Sequence, residues 1–543
     1  KKNFGGFGKL NLSYRKNGLE LGAYAFGARQ YQPDNKDLQQ ITYLDKTWNQ
    51  TSEIRQVGIT ESMNFRLNAS YQLDANNSIG ANFDFLRNPK ESWDGGMYSS
   101  ILQDEALSEN SYSHIDFFWQ KSNLSSNVYY VGKIGKLGID FNTDWLWSKD
   151  CQNDVTEEQY KEAGMDVRNQ TAHSLTNKNN HLFASKLELT YPLLGGELSL
   201  GGEYSNTHRN SKYQVEPTDL VSDDDSRITE SMTSSFLTYS RDFGNLSVEA
   251  GLRYEYIDFS YYEYGKYMPE QSKSYGNWFP SLSLSMPVGK VQMQLSYAAD
   301  INRPSYQNLR SGIQYDNRYT YETGNPFLVS EISRNLNYEL AYKWLTFDVT
   351  YCHTSHPILS NVETYKDNPA IGLLKPVNGS AYDDVEASLS LTPAFGFWHP
   401  SFTASIDKQW FDMETYDGKS LNKPMASFRF DNTFSTKLAM FTWMMSYTTK
   451  GHEKNQYLYK PMFCTNLSVY KDFWKNRLSC QLFVYDLFGT NNSHMIAHFG
   501  KMKEMIYDGL STSKVSLTVR YKFNTSRSKY KGTGAGEAQK NRM

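Results

Sequence analysis

From Leu336 onward the apolar side chains fall on every second position: Leu336, Tyr338, Leu340 and Tyr342, with Asn335, Asn337, Glu339, Ala341 and Lys343 between them. The pattern recurs along the chain. In "NLSVEAGLRYEY" Leu246, Val248, Ala250, Leu252, Tyr254 and Tyr256 share one face, and Ser247, Glu249, Gly251, Arg253 and Glu255 share the other. In "KVSLTVRYKF" Val515, Leu517, Val519, Tyr521 and Phe523 alternate with Lys514, Ser516, Thr518, Arg520 and Lys522. A period of two held over about ten residues is a strand, not a helix. About ten residues is also what a tilted strand needs to cross a bilayer, whereas soluble strands run to about five or six. The apolar face therefore meets either a protein core or lipid.

The spacing of the turns favours lipid. Tight connections stand at "RKNG" (15–18), "DANN" (74–77), "GKLG" (135–138), "LLGG" (193–196) and "DFGN" (242–245). They continue at "PVGK" (287–290), "YKWL" (342–345), "AFGF" (394–397), "TKLA" (436–439) and "FWKN" (473–476). They come roughly every 50 residues with a long polar stretch between, the short-turn, long-loop asymmetry of an outer-membrane barrel. The 543 residues carry 40 Tyr, 30 Phe and 11 Trp on a polar background, with a mean hydropathy of −0.65. Soluble cores draw on Leu, Ile and Val instead, while aromatic girdles around a wet lumen give this combination. No run of about 18 apolar residues occurs, so a helical span is excluded.

About 21 strands are expected. The first, near residues 4–14, runs into a short turn, and the last, ending at Phe523, runs the same way. Both strands descend, so a closed barrel of even strand number needs one ascending strand upstream. The expected fold is an all-β transmembrane antiparallel barrel of 22 strands, the size whose lumen holds a plug. Residues 1–523 form the barrel and residues 524–543 a disordered polar tail in the periplasm. The chain opens on strand-like sequence without a signal peptide, so it reads as a processed or cut piece.

Specific motifs stand at 301–340. "INRPSYQNLRSGIQYDNRYTYETGNPFLVSEISRNLNYEL" resembles the TonB-dependent receptor superfamily, and within it the outer-membrane β-barrel family common in Bacteroidota. The matching positions are Arg303, Pro304, Leu309, Gly324, Asn325, Pro326, Leu328, Glu331 and Glu339; Ser330 stands where the family usually has proline. Arg303, Pro304, Gly324, Asn325, Pro326 and Glu331 are the expected structural loop motif. "SLTVRYKF" resembles the C-terminal signal read by the barrel assembly machinery, with Tyr521 and Phe523 as its aromatics, and "VYDLFGT" (484–490) the penultimate strand. The resemblance implies residence in the Gram-negative outer membrane in contact with its lipid. It also implies uptake of a scarce nutrient driven by the TonB complex, and a plug domain upstream in the same precursor. A substrate-binding lipoprotein partner is compatible with the resemblance. The alternative is a non-transporting barrel that serves as receptor, adhesin or assembly platform.

The remaining chemistry is sparse. A formal charge of −3 gives no basic stripe for nucleic acid. Cys151, Cys352, Cys464 and Cys480 match no zinc or redox spacing, and Cys464 and Cys480 flank a turn at offset positions. "CHTSH" (352–356), "SDDDS" (222–226) and "NDVTEEQYKEAG" (153–164) read as solvated loops, without the ligand count or spacing of a metal site. "ESWDGGMY" (91–98) reads as an aromatic loop tip that stacks on a sugar, grips a peptide or shields the barrel mouth. No Ser, His and carboxylate motif is present, so no enzyme and no cofactor are expected. Glu249, Arg253 and Glu339 read as a polar wall facing water or a plug. Val519→Arg is expected to destabilise the barrel where Thr518→Arg is tolerated.

Overall fold

The computed structural model describes residues 4–43, 45–366, 368–509, 512–523 and 530–543. Among them a single antiparallel sheet has 26 strands. Five of these, Lys266–Tyr267, Gly451–Glu453, Gln456–Leu458, Ser493–Phe499 and Met502–Asp508, are ribbons within loops. The other 21 are consecutive staves, each paired with its neighbours in chain order. All ten expected turns join staves at one end. At the first, Asn17 and Gly18 both have positive φ (48° and 82°), the two-residue hairpin geometry that matches strand twist. Gly6–Lys16 and Lys514–Tyr521 each have one stave partner among the described residues, Leu19–Tyr43 and Leu478–Tyr485. Both run toward the turn end.

The outer face is apolar where the sheet crosses lipid. Leu200 lies opposite Leu237, and Leu237 opposite Leu252. All three point outward, Leu237 with 46% and Leu252 with 44% of its surface open. Outward aromatics border this belt, Tyr191, Phe243, Trp344 and Trp474 toward the turns and Tyr204, Tyr256, Trp278 and Trp410 toward the loops. These are the two girdles of a membrane barrel. Val515, Leu517, Val519 and Tyr521 are likewise exposed, and Phe523 extends past the last strand with its ring edge-on to Tyr521 at 4.7 Å.

The staves are longer than the alternation predicts. Leu19–Tyr43, Thr47–Gln72, Ser78–Gln103, Ala106–Ile134, Leu137–Glu162 and Arg168–Leu193 span 25 to 29 residues, over twice what a bilayer requires. Their outer halves are the polar stretches that read as loops. "NDVTEEQYKEAG" is largely strand, and "ESWDGGMY" lies within Ser78–Gln103 rather than at a tip. Outside lipid both faces of a ribbon can be polar, and the amides still find ladder partners.

The apolar register switches faces where the staves leave the membrane. In Leu246–Glu263 the outward set ends at Tyr256; from there Ile257, Phe259 and Tyr261, on the face of Arg253 and Glu255, are buried in the lumen. They pack with Ile228, Met232, Tyr306, Leu309 and Leu328 into an interior cluster. The 303–330 connection thus folds into the barrel mouth, where a continuous apolar patch draws its own apolar side chains out of water.

The tail departs from expectation as well. Residues 524–529 lie outside the described residues, but 530–543 lie against the lumen wall rather than hanging free. Lys540 pairs with Asp144 at 2.6 Å and Arg542 pairs with Glu230. A basic segment facing an acidic wall gains charge-assisted contacts that offset its ordering entropy.

Candidate functional site

Two extracellular connections, 303–330 and 356–381, build the mouth. Arg303 pairs with Glu255; Glu255 also receives Arg253 Nε at 2.6 Å, and Arg253 reaches Glu203 at 3.3 Å. The Tyr306 hydroxyl donates to Glu230 at 3.2 Å, and the Ser311 amide donates to the Tyr261 hydroxyl at 3.0 Å. The loop is thus held to the wall by paired buried charges on an apolar bed.

The motif residues hold the loop to itself and to its neighbour. The Asn325 amide donates to the Asn308 carbonyl at 2.6 Å, and the Asn325 side chain donates to the Pro376 carbonyl at 3.0 Å. Glu331 accepts from the Ile358 amide at 3.1 Å and lies 3.5 Å from Lys454. Pro326 follows within the same turn, which the Phe327 amide closes onto Asn325 Oδ1 at 3.0 Å. At Gly324 a Cβ would stand 2.5 Å from the Arg310 carbonyl oxygen and 2.7 Å from that of Asn308. Both are backbone atoms and cannot swing aside, so Gly324→Ala is expected to cost about 1–3 kcal/mol. Hydrogen exchange over residues 303–330 reads that loss; unchanged protection counts against the close approach.

The two loops share a four-stranded sheet. Ile313–Asn317 pairs with Thr320–Thr323, which lies parallel to Asn368–Asn378, which pairs in turn with Ile358–Tyr365. This lid rests on Ala172, Tyr213, Val215 and Val221 through Tyr315 and Tyr321. Beside it opens a cavity of about 580 Å³ lined by Trp48, Gln103, Glu109, Glu162, Tyr315, Arg318, Tyr319 and Tyr321. Arg318, at the hairpin tip, lies 3.6 Å from the centre of the Tyr160 ring. It pairs with Glu109 at 3.2 Å and Glu162 at 3.8 Å. Glu158 accepts from the Tyr315 hydroxyl and, at 3.4 Å, from the Arg318 amide. Burial pushes the Glu109 and Glu158 carboxyls above their ordinary range, and the Arg318 charge pulls both back. The chamber therefore offers a guanidinium, flat phenol rings and carboxylates together, suited to a ligand with planar faces and both charge signs.

Asp224 sits beneath the lid, and burial pushes its carboxyl up to about 6. Its Oδ2 accepts from Ser226 at 3.1 Å, and a Cβ on Gly312 would come within 2.5 Å of it. A folded-state value raised above the unfolded one means that the folded lid holds the proton more tightly. Asp224 therefore costs no stability below about pH 4 and destabilises the lid progressively as pH rises through about 6. Asp224→Asn is expected to stabilise the lid at neutral pH by on the order of 2–3 kcal/mol and to flatten this pH dependence. Hydrogen exchange of 310–323 at pH 4 and pH 7 checks it, and an equal pH response in the variant refutes it.

Other expected positions lie elsewhere. Tyr521 and Phe523 are at the turn-end rim. Strand alternation sends Cys352 toward Thr354 and His353 toward Asp383, at 2.8 Å, so "CHTSH" does not converge. Among the described residues no group of three or more His, Cys, Asp or Glu is placed to hold a metal ion. Cys480 stands opposite Lys471 and Cys464 opposite Ser446, and all four cysteines are free. Glu339 lies opposite Gln294 and Asp348 on the lumen face.

The profile of the outer membrane protein beta-barrel family matches residues 132–521. The chain belongs to this family. It is therefore an outer-membrane protein, and the resemblance to TonB-dependent receptors drawn from its sequence holds at the level of the barrel fold. Among solved structures it is similar to the siderophore receptor PirA of Pseudomonas aeruginosa, with 12% identity and a TM-score of 0.51, covering 88% of this chain and 80% of that one. It is also similar to a variant of the ferric enterobactin receptor of Pseudomonas aeruginosa in complex with enterobactin. There the identity is 11% and the TM-score 0.52, covering 95% and 81% of the two chains. No curated protein matches in sequence. Within this family barrel the expected motif residues are anchors of the mouth, whereas Arg318, Tyr315, Tyr160, Glu109 and Glu158 form the chamber. The signal that reveals the apolar bed beneath Tyr306, Leu309 and Leu328 of the mouth loop is the switch of parity after Tyr256.

Proposed function

We propose that this barrel is the receptor and transporter of a scarce nutrient, captured in the chamber beside the lid. The observation that carries the reading is Arg318, presented at the hairpin tip over Tyr160 among Tyr315, Tyr319 and Tyr321 beside an open cavity of about 580 Å³. The similar receptor solved with enterobactin supports a ligand of the siderophore class. We further propose the plug domain and one ascending strand upstream, which would join Gly6–Lys16 to Lys514–Tyr521 with the required direction. Drive by the TonB complex, insertion by the barrel assembly machinery and a lipoprotein partner belong to the same proposal.

The test compares native cells with cells lacking the gene, grown under iron, cobalamin or glycan limitation, by mass spectrometry of solutes removed from the medium. One solute taken up only by native cells, with uptake abolished by dissipating the proton gradient and weakened at least roughly tenfold by Arg318→Ala, supports the reading. Identical depletion by both strains under all three limitations sinks it. A second reading, a barrel with a blocked lumen that acts as receptor or adhesin, draws on the seating of residues 530–543 inside the lumen. It predicts binding without accumulation.

A further inference from the structure

Cations collect at the turn end, the periplasmic side of such a barrel. Lys136, Lys290, Lys343, Lys437 and Lys475 stand in tight turns that hold no carboxylate, and Asp74 and Asp242 are the only acids in the ten turns. The formal charge of the whole chain is −3, so its acidic excess lies elsewhere. On the staves beside these turns Arg241 and Lys471 face outward. Arg241 lies opposite Val248, and Lys471 opposite Cys480, which stands opposite Val519. The Arg241 guanidinium is 4.7 Å from the centre of the Phe243 ring, the Lys471 ammonium 5.4 Å from that of Phe473, and the Lys343 ammonium 5.3 Å from that of Tyr342. None of these three cations has a carboxylate partner among the described residues. On the first staves the outer face is hollow. Ala69 lies opposite Leu21 and Ala81, and Ala81 opposite Val128. With Leu67 and Phe83 they line an open apolar groove of about 630 Å³. Lys16 follows two residues after Tyr14, at the turn-side edge of this groove, about 7 Å further along the strand.

We propose that the turn-end girdle is a collar that binds anionic phospholipid of the periplasmic leaflet, and that the groove beside Lys16 seats one of its acyl chains. The outward cations have no counter-charge of their own, and the phosphates of the leaflet supply it. The ring beside each cation packs on its methylene stem and keeps the charged head at headgroup level. An acidic protein or the cell-wall polymer would meet the turns from below, whereas Arg241 and Lys471 point sideways into the leaflet, which favours lipid. In the groove the small side chains of Ala69 and Ala81 leave a channel between taller neighbours. A flexible acyl chain fills that channel without moving its walls, and its phosphate then reaches Lys16. A lipid held by charge and packing together exchanges more slowly than the rest of the collar. The collar lies on the lipid face and needs neither cargo nor plug, so it stands or falls separately from uptake.

The experiment uses the full-length protein extracted from outer membranes, with heat-modifiable gel migration confirming a folded barrel. Native mass spectrometry counts the lipids retained after incubation with equal amounts of phosphatidylglycerol and phosphatidylcholine of matched chains. Phosphatidylglycerol is expected to be retained at least roughly tenfold over phosphatidylcholine, and the excess to shrink when the incubation contains about 1 M salt. The triple variant Arg241→Gln, Lys343→Gln, Lys471→Gln is expected to lose most of that excess. The triple variant Lys46→Gln, Lys161→Gln, Lys266→Gln, which removes three exposed cations at the loop end, is expected to keep it. Ala69→Trp fills the groove and is expected to remove the slowest-exchanging lipid while the rest of the collar stays loaded. Equal retention of the two lipids, or an equal loss in both triple variants, overturns the collar. Equal retention together with co-sedimentation on peptidoglycan that the turn-end variant abolishes also overturns it, and assigns the cations to the wall polymer. A slow lipid that persists in Ala69→Trp overturns the acyl seat.

Discussion

Glu255→Gln is expected to loosen the mouth of the barrel more than any other single side-chain change. Glu255 and Arg303 are almost fully buried, at 7% and 4% side-chain exposure, and Arg253 shares the same carboxylate. Removing the negative charge leaves the Arg303 guanidinium buried without a counter-charge, a situation that costs about 3–5 kcal/mol. The opening is local, because the staves keep their ladders while the 303–330 loop loses its hold. Amide exchange of residues 303–311 should rise on the order of a hundredfold or more, and exchange in the membrane belt should not change. The double variant Glu255→Gln with Arg303→Met should recover most of the protection, since a neutral pair leaves no unpaired charge. A single variant that exchanges like the native protein would show that the pair contributes nothing to holding the loop.

The second large effect is on the lipid face. Leu237→Arg places a charge in the row Leu200, Leu237, Leu252 at the middle of the apolar belt, at a cost of about 2–4 kcal/mol. Thr238→Arg, one residue on and facing the wet lumen, is expected to cost little. Denaturant titration of protein folded into liposomes gives both values. Equal destabilisation at the two positions would reverse the assignment of faces.

Much of the barrel was legible in the chain. The alternation in "NLSVEAGLRYEY" identifies Leu252 as lipid-facing and Arg253 as lumenal because a strand sends successive side chains to opposite faces whatever it packs against. Turns such as "RKNG" are legible because few residues tolerate the backbone that reverses a hairpin in two positions. Strand length was less legible. The outer halves of Ala106–Ile134 and Leu137–Glu162 lack an apolar face, and periodicity cannot detect a ribbon that is wet on both sides. The tail misled for a related reason: "YKGTGAGEAQKNRM" has the composition of disorder, and the acidic wall that orders it comes from distant strands.

Local sequence by itself determined the direction, register and facing of the membrane staves, because alternation and turn chemistry act over a few residues. Only the tertiary structure decided the chamber. Glu109, Glu158, Tyr160 and Arg318 are brought together by barrel curvature and by a loop that turns inward. No single segment carries a pattern for that convergence, since the energy that favours it arises only when apolar and charged groups from separate strands are buried together.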